Sequence, residues 1–198
     1  MNSWEEAYKN GFEINSMHPS VVVKDALDLI IEGSDILDIG CGNGRNTIYF
    51  ANEGFNVDAV DIVNLKPFED LSPFQKKRIN FYHKDIKDLK IKKEKYGAII
   101  LARLVQYLDK NSLNLLIKSC SYGLKSGGLI LLSYTSVSGT KFREKYHVKR
   151  YDYMIKDIQK IIERNGLKLI SIKDGSTVSK HVPYEDTINT YDLIVIKE

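Results

Sequence analysis

Short apolar runs alternate with segments of helical periodicity along most of the chain, an order that is typical of an α/β fold. Helices separate most of the seven runs that predict strands, so the strands should mostly run parallel. Little helical pattern joins the last two strands, which predicts that they pair antiparallel. The predicted strands are Asp35–Ile39, Phe55–Val60, Ile79–His83, Tyr96–Ala102, Leu129–Tyr134, Leu167–Ile172 and Thr190–Ile196. The predicted helices are Val21–Ile31, Arg45–Glu53, Asn111–Tyr122 and Tyr151–Asn165.

The composition is that of an ordinary globular domain. Of 198 residues, 43% are hydrophobic and 28% are charged, which excludes the disordered and fibrous classes. The net charge of +3 is too small to indicate a nucleic-acid partner. The two cysteines cannot form a disulfide framework, and no Cys/His cluster has metal-ligand spacing. We therefore expect residues 1–198 to form a single domain without a metal.

The first residues do not have the pattern of an export signal. Trp4, Glu5, Glu6 and Lys9 stand where a secretory signal needs an apolar run. No later stretch approaches the roughly 18 consecutive apolar residues that a membrane span needs. We expect a cytoplasmic protein that makes no membrane contact and is a monomer or a homodimer.

A glycine-rich turn, Gly40-Cys41-Gly42-Asn43-Gly44, follows the first predicted strand and precedes a predicted helix. Such a turn lets a ligand approach the backbone closely. The dinucleotide fingerprint would need a third glycine where Arg45 stands, and Asp38 would repel a pyrophosphate. The pattern therefore favours a cofactor that is positively charged.

Three acidic residues, Asp38, Asp61 and Asp85, lie at the ends of three neighbouring predicted strands. Parallel strands bring these ends to one edge of the sheet. A carboxylate at Asp61 would accept both ribose hydroxyl protons, while Asp85 would accept from an adenine amine and Ile86 would pack on the ring. S-adenosylmethionine (SAM), an adenosine compound with a sulfonium cation and no phosphate, suits this arrangement.

The segment Asp38–Gly44 resembles motif I of class I SAM-dependent methyltransferases, and Lys125-Ser126-Gly127-Gly128 resembles a later turn of that class. The segment Ile36–Asp61 is similar to the tellurite-resistance methyltransferase group in particular. Phe12-Glu13-Ile14, placed before His18, also looks like the N-terminal segment of that group.

The resemblance implies a Rossmann-like, seven-stranded, mostly parallel sheet with the last strand antiparallel and helices on both faces. It also implies SAM as methyl donor and a substrate pocket roofed by variable segments. Residues 1–20 are a candidate segment to cover the cofactor. The methionine part would be held by Asp38, Gly40, Cys41, Gly42, Asn43 and Gly44, the ribose by Asp61 and Ile62, and the adenine by Asp85 and Ile86. Leu101 and Ala102 would lie beneath the cofactor.

The residues that would act on a methyl acceptor are less sharply defined by the sequence. A base is needed only if the acceptor is protonated at neutral pH, and the candidates are His18, Tyr107, Tyr146 and His181. Arg103, just past the fourth strand, is a candidate clamp for an anionic acceptor. The cationic and aromatic residues 141–151 either stack on and neutralise an anionic or nucleic-acid substrate or, as we favour, form a solvated loop that leads into the next helix.

We expect methyl transfer from SAM to a small molecule, with tellurite-like oxyanions, small thiols and amines as candidate acceptors. An RNA or protein methyltransferase is an alternative, although the Asn/Asp-Pro-Pro-Tyr signature of amino-methylating nucleic-acid enzymes is absent from the sequence. A SAM-binding sensor without catalysis is a second alternative, because the sequence identifies no compelling base.

Overall fold

The computed structural model describes residues 4–6, 17–64, 68, 70–137, 149–178 and 187–198. The similarity at Phe12–Ile14 lies outside these residues. Within them, no helix is long and apolar enough to cross a membrane.

Seven strands form one sheet in the order β3-β2-β1-β4-β5-β7-β6. The strands β1 to β5 pair in parallel, whereas β7 runs antiparallel to both β5 and β6. The predicted sheet, including its antiparallel last strand, is therefore confirmed. The strands are β1 Asp35–Ile39, β2 Val57–Asp61, β3 Ile79–His83, β4 Tyr96–Ala102, β5 Leu124–Val137, β6 Leu167–Val178 and β7 Thr187–Lys197.

The helices differ from the prediction mainly at their starts and ends. They are α1 Val21–Asp25, α2 Arg45–Asn52, α3 Pro73–Lys76, α4 Lys110–Gly123 and α5 Ile155–Arg164. The predicted helix Val21–Ile31 is wrong beyond Asp25, because a separate 3-10 turn covers Leu27–Leu29. Three successive β-branched valines favour a helix weakly, which fits so short an α1.

The last helix begins later than the periodicity predicts, because tertiary hydrogen bonds hold the residues before it. The Tyr151 amide donates to the Gln106 carbonyl at 2.7 Å, and the Tyr153 hydroxyl donates to the Leu108 carbonyl at 2.7 Å. Both bonds tie this extended segment to the chain that follows β4. The segment before α5 is thereby fixed at the carboxyl edge of the sheet.

Helices cover both faces of the sheet, as predicted. The continuous apolar run of β4 serves both faces, since Ile99 and Leu101 pack on the side of α4 and α5. Ala98 and Ile100 pack on the side of α1 and α2. Two buried cores of this kind are typical of parallel sheets, and they leave the carboxyl edge as the place where ligands have access.

A polar cluster closes the opposite, amino edge of the sheet. The Asp58 carboxylate of β2 accepts from the Lys95 ammonium, from the Tyr96 hydroxyl at 2.8 Å and from the Asn80 amide at 3.1 Å. Burial alone would raise the pKa of Asp58, but the bonds from Lys95 and Tyr96 outweigh it and lower the pKa.

Replacing Asp58 by asparagine should therefore lower the free energy of unfolding by about 2 kcal/mol at pH 7, the scale of hydrogen bonds to a charged group. A carboxyl whose folded pKa is lowered stabilises above its unfolded pKa, and this contribution is lost as the pH falls through the folded pKa. Urea unfolding at pH 7 and at pH 3 measures both effects. A loss of stability that is equal at the two pH values would contradict the assignment.

Candidate functional site

The glycine turn after β1 depends on backbone conformations that suit glycine. Gly40, Gly42 and Gly44 have φ angles of +70°, +55° and +74°, a region that other residues adopt at a cost. A Cβ on Gly44 would lie 2.8 Å from the Phe68 ring. The Gly40 amide donates to the Val60 carbonyl of β2 at 2.8 Å. The turn is thus anchored to the neighbouring strand, and its residues Cys41 to Gly44 are buried.

Asp61, at the end of β2, fixes this turn directly. Its Oδ2 accepts from the Gly42 amide at 2.8 Å, and its Oδ1 accepts from the Val63 amide at 2.9 Å. The side chain is half-buried, and desolvation raises its pKa although these bonds oppose the rise. An ionised carboxylate offers about four acceptor positions. Asp61 can therefore hold the glycine turn and still accept hydrogen bonds from the hydroxyl groups of a ligand.

Asp38 lies inside the fold, between β1 and α2, with 1% of its surface exposed. The Thr47 hydroxyl donates to its Oδ2 at 2.6 Å. Burial raises the pKa of Asp38 to about 7, and the nearby charge of Asp61 adds to the rise while Arg45 opposes it. Asp38 can therefore act on the glycine turn only through its charge, because its carboxylate is buried.

The third acid, Asp85, begins a 3-10 turn that spans Ile86–Asp88. Its Oδ1 accepts from the Lys87 amide at 2.9 Å, which leaves the other oxygen for a ligand. Ile86 is half-buried against the core on the α4 side. Beside it, the His83 ring contacts the Ile62 carbonyl at 2.8 Å through Nε2. The three acids thus lie at the carboxyl ends of β1, β2 and β3, as the sequence predicts.

Residues that precede α1 pack against the glycine turn and the start of α2. The Ser20 amide donates to the Asn46 side chain at 2.8 Å, and the Arg45 guanidinium donates to the Ser20 hydroxyl at 3.2 Å. The Asn43 amide group lies 3.5 Å from the Met17 sulfur. The next residue, His18, is exposed at this end of the turn. The structure therefore brings the N-terminal side of the chain to the predicted cofactor site.

At the end of β4, Leu101 is buried and Ala102 is half-buried, so both form part of the floor of this edge. Arg103 leaves the strand with a φ of +60°, which is uncommon for a residue with a side chain. Its amide donates to the Ser133 carbonyl of β5 at 2.8 Å, and the Gln106 side chain donates to its carbonyl at 2.9 Å. These bonds hold Arg103 at the edge, where its side chain is partly open to solvent and partly desolvated by its neighbours.

A second arginine, Arg150, reaches the same edge from the segment before α5. It is buried, with 8% of its surface exposed, and its guanidinium donates to the Thr135 hydroxyl at 2.7 Å and carbonyl at 3.2 Å. The guanidinium carbon lies 5.6 Å from the centre of the Tyr107 ring. The favoured interpretation of residues 141–151 as a solvated loop is wrong for Arg150, because β5 and Tyr107 cover its side chain.

Two further groups belong to this region and were not predicted from the sequence. Asp192 of β7 lies directly opposite Ser133 of β5, and its pKa is raised by desolvation while Arg103 opposes the rise. The Trp4 ring contacts the Tyr107 ring edge-on, with 4.5 Å between their centres. The sequence signal that could have identified Asp192 is its position as an acidic residue within the apolar run of β7.

The remaining candidates from the sequence are Cys41, Tyr107, Tyr146 and His181. Tyr146 and His181 are outside the described residues. Cys41 is buried, and desolvation raises the pKa of its thiol well above the ordinary value, so the thiol is not a ready nucleophile. Tyr107 is half-buried, and desolvation raises the pKa of its hydroxyl. It therefore stays protonated at neutral pH.

Comparison with known proteins gives relatives of low identity. An uncharacterized protein of Rickettsia prowazekii is 25% identical over 179 residues, which cover 85% of this chain and 32% of the relative. A carboxy-S-adenosyl-L-methionine synthase of Mannheimia succiniciproducens is 24% identical over 170 residues, 81% of this chain and 66% of the relative. The chain thus spans about a third of the first relative and just under two thirds of the second.

A solved structure shows the same fold. Phosphoethanolamine N-methyltransferase 2 of Haemonchus contortus, in complex with SAM, matches with a TM-score of 0.71 at 16% identity over 96% of this chain and 56% of that chain. The family model of the tellurite resistance protein TehB matches residues 2–142. That range includes the glycine turn, all three acids and Arg103. The chain therefore belongs to the TehB family of tellurite resistance proteins.

Proposed function

We propose that this protein transfers a methyl group from SAM to a small-molecule acceptor. The observation that carries the proposal is the glycine turn, which Asp61 fixes at the carboxyl edge, with acids at or near the ends of three neighbouring strands. The relative that is named a carboxy-S-adenosyl-L-methionine synthase and the related fold solved with SAM support the same cofactor. Both cores surround one sheet, which supports a single domain.

The charges of the site suit a cation better than a nucleotide. Asp38 and Asp61 each raise the pKa of the buried Cys41 thiol, so a negative field reaches the turn itself. A pyrophosphate would meet this field with like charge, whereas a sulfonium would be attracted. The ribose and adenine would follow along the edge, at Asp61 with Ile62 and at Asp85 with Ile86.

The chain's part in the reaction is to bind and orient. Bound here, SAM supplies a methyl group on a positively charged sulfur that leaves as a neutral thioether. Leu101 and Ala102 give the floor, and residues 1–20 would cover the site and exclude water. In-line positioning of this kind accounts for most of the acceleration in such transfers.

Proton removal from the acceptor would fall to a group other than Tyr107. The raised pKa of Tyr107 makes it a hydrogen-bond donor at neutral pH. His18 lies next to Met17, which contacts the glycine turn through Asn43, and remains a candidate base. An acceptor that is already deprotonated would need no base.

The test is methyl transfer from radiolabelled SAM into a metabolite extract, after calorimetry has established that SAM binds. We expect label in the low-molecular-weight fraction, with total cellular RNA and protein added as competing acceptors. Label in RNA or protein instead would contradict the small-molecule acceptor. Binding of SAM without label in any fraction would indicate a sensor.

A further inference from the structure

Arg103 is placed at the carboxyl edge at a conformational cost. A residue with a side chain adopts a φ near +60°, as Arg103 does, only at a cost in free energy. The Ser133 carbonyl and the Gln106 side chain hold both ends of this peptide unit. Among the described residues, no carboxylate oxygen lies within 4.0 Å of the Arg103 guanidinium. The strained backbone thus holds a guanidinium group that forms no close ion pair with a carboxylate among the described residues.

Two guanidinium groups and one carboxylate, those of Arg45, Arg150 and Asp192, act electrostatically on Arg103. We define the arginine cluster as Arg45, Arg103 and Arg150, which come from α2, from the end of β4 and from the segment before α5. The pKa of Arg103 is lowered first by desolvation and then by Arg45, with Arg150 adding to the effect. Asp192 opposes this lowering, and its own pKa is raised. Gathering guanidinium groups in this way costs free energy that a bound anion would offset.

The members of the arginine cluster lie on two sides of the site, one for the cofactor and one for the methyl acceptor. Arg45 follows the glycine turn and interacts with Asp38, so it belongs to the cofactor side. Arg103 and Arg150 lie on the side of β5 and flank Tyr107. The Tyr107 ring and the Trp4 ring against it give this side an aromatic surface. Guanidinium forks match carboxylate and phosphate groups in shape as well as in charge.

We propose that the methyl acceptor is a small organic anion, whose carboxylate or phosphate group is bound by Arg103 with Arg150 beside it, and whose apolar part packs against Tyr107. This inference rests on the proposed function, because it places the acceptor next to bound SAM. It assigns a role in specificity to Arg150, which the sequence offered only as one of several cations in residues 141–151.

The test uses the full chain saturated with S-adenosylhomocysteine, which fills the cofactor side. Benzoate, inorganic phosphate and the neutral benzamide are titrated separately, and binding is measured by ligand-observed NMR at low ionic strength. We expect benzoate to bind and benzamide, which has the same shape without the charge, to bind at least tenfold more weakly. Phosphate binding tighter than benzoate would identify the acceptor group as a phosphate.

The matched variants are Arg103→Gln, Arg103→Lys and, as control, Arg164→Gln, which removes an exposed charge from the end of α5. We expect Arg103→Gln to weaken the binding of benzoate and phosphate at least tenfold, Arg103→Lys to restore part of it, and Arg164→Gln to change it less than twofold. The affinity for S-adenosylhomocysteine and the melting temperature show that each variant is folded.

Equal binding of benzoate and benzamide, no binding of either anion, or equal loss in Arg103→Gln and Arg164→Gln would each overturn the inference. These results leave methyl transfer intact, since they are obtained with the cofactor product bound. Failure of S-adenosylhomocysteine to bind the wild-type chain would instead overturn the proposed function.

Discussion

Replacing Asp61 by alanine is expected to weaken SAM binding by about 1.5 to 3 kcal/mol, the contribution of hydrogen bonds to a charged group, which corresponds to roughly 10- to 150-fold in the dissociation constant. Two losses add up in this variant. The ribose hydroxyls lose their acceptor, and the amides of Gly42 and Val63 lose the oxygens that fix the glycine turn. Calorimetric titration with SAM measures the total.

The two losses can be separated with a ligand that lacks one hydroxyl. The 2′-deoxy derivative of S-adenosylhomocysteine should bind the wild-type chain more weakly than the parent compound. The two compounds should bind Asp61→Ala equally well, because this variant has already lost the carboxylate that accepts the hydrogen bond. A penalty that persists in the variant would mean that the ribose is bound elsewhere.

The matched control is Asp58→Asn, which changes another acid of the same strand. Asp58 belongs to the polar cluster at the opposite edge of the sheet. Its replacement should lower stability while leaving the affinity for SAM unchanged. Comparable loss of affinity in both variants would show that Asp61 acts through the fold alone.

Binding of SAM is expected to release protons near pH 7, and Asp38→Asn should abolish that release. Burial raises the pKa of Asp38 to about 7, so about half of the carboxyls are protonated at that pH without ligand. A bound cation favours the ionised form and lowers this pKa. Titrations in two buffers with different ionisation enthalpies, such as phosphate and Tris, report the protons released.

The affinity for SAM should accordingly rise by up to about tenfold between pH 6 and pH 8 in the wild-type chain, the limit for one proton with this pKa. The groups that act on Asp38 are Thr47, Asp61 and Arg45. In Asp38→Asn the affinity should stay near the wild-type value at pH 6, because the amide resembles the protonated acid. An equal pH dependence in the two proteins would assign the titration to another group.

The same variant should also change stability in a defined direction. A carboxyl whose folded pKa lies above its unfolded value loses stability as the pH rises between the two. We therefore expect Asp38→Asn to melt above the wild-type chain at pH 8 and close to it at pH 3, below the unfolded pKa, with the Thr47 hydrogen bond kept by the amide oxygen. A lower melting temperature at pH 8 would mean that the ionised form is stabilised in the ligand-free protein.

The sequence by itself determined the sheet and predicted the edge at which a cofactor would bind. The alternation of apolar runs with helical periodicity gave β3 and β4 to the residue, because neighbouring residues along a strand carry that signal. The spacing of Gly40, Gly42 and Gly44 marked a turn whose φ angles are positive. Parallel pairing then brought Asp61 and Asp85 to one edge.

Only the tertiary structure decided how deeply those acids are buried and which cationic side chains lie near them. Asp38 is an acid after a strand in the sequence, and only the packing of α2 on β1 buries it against Thr47. Arg103, Arg150 and Asp192 are far apart along the chain. The register of β4, β5 and β7 and the hydrogen bonds before α5 bring them together. Contacts between distant segments depend on how complete elements pack, and local periodicity carries no information about them.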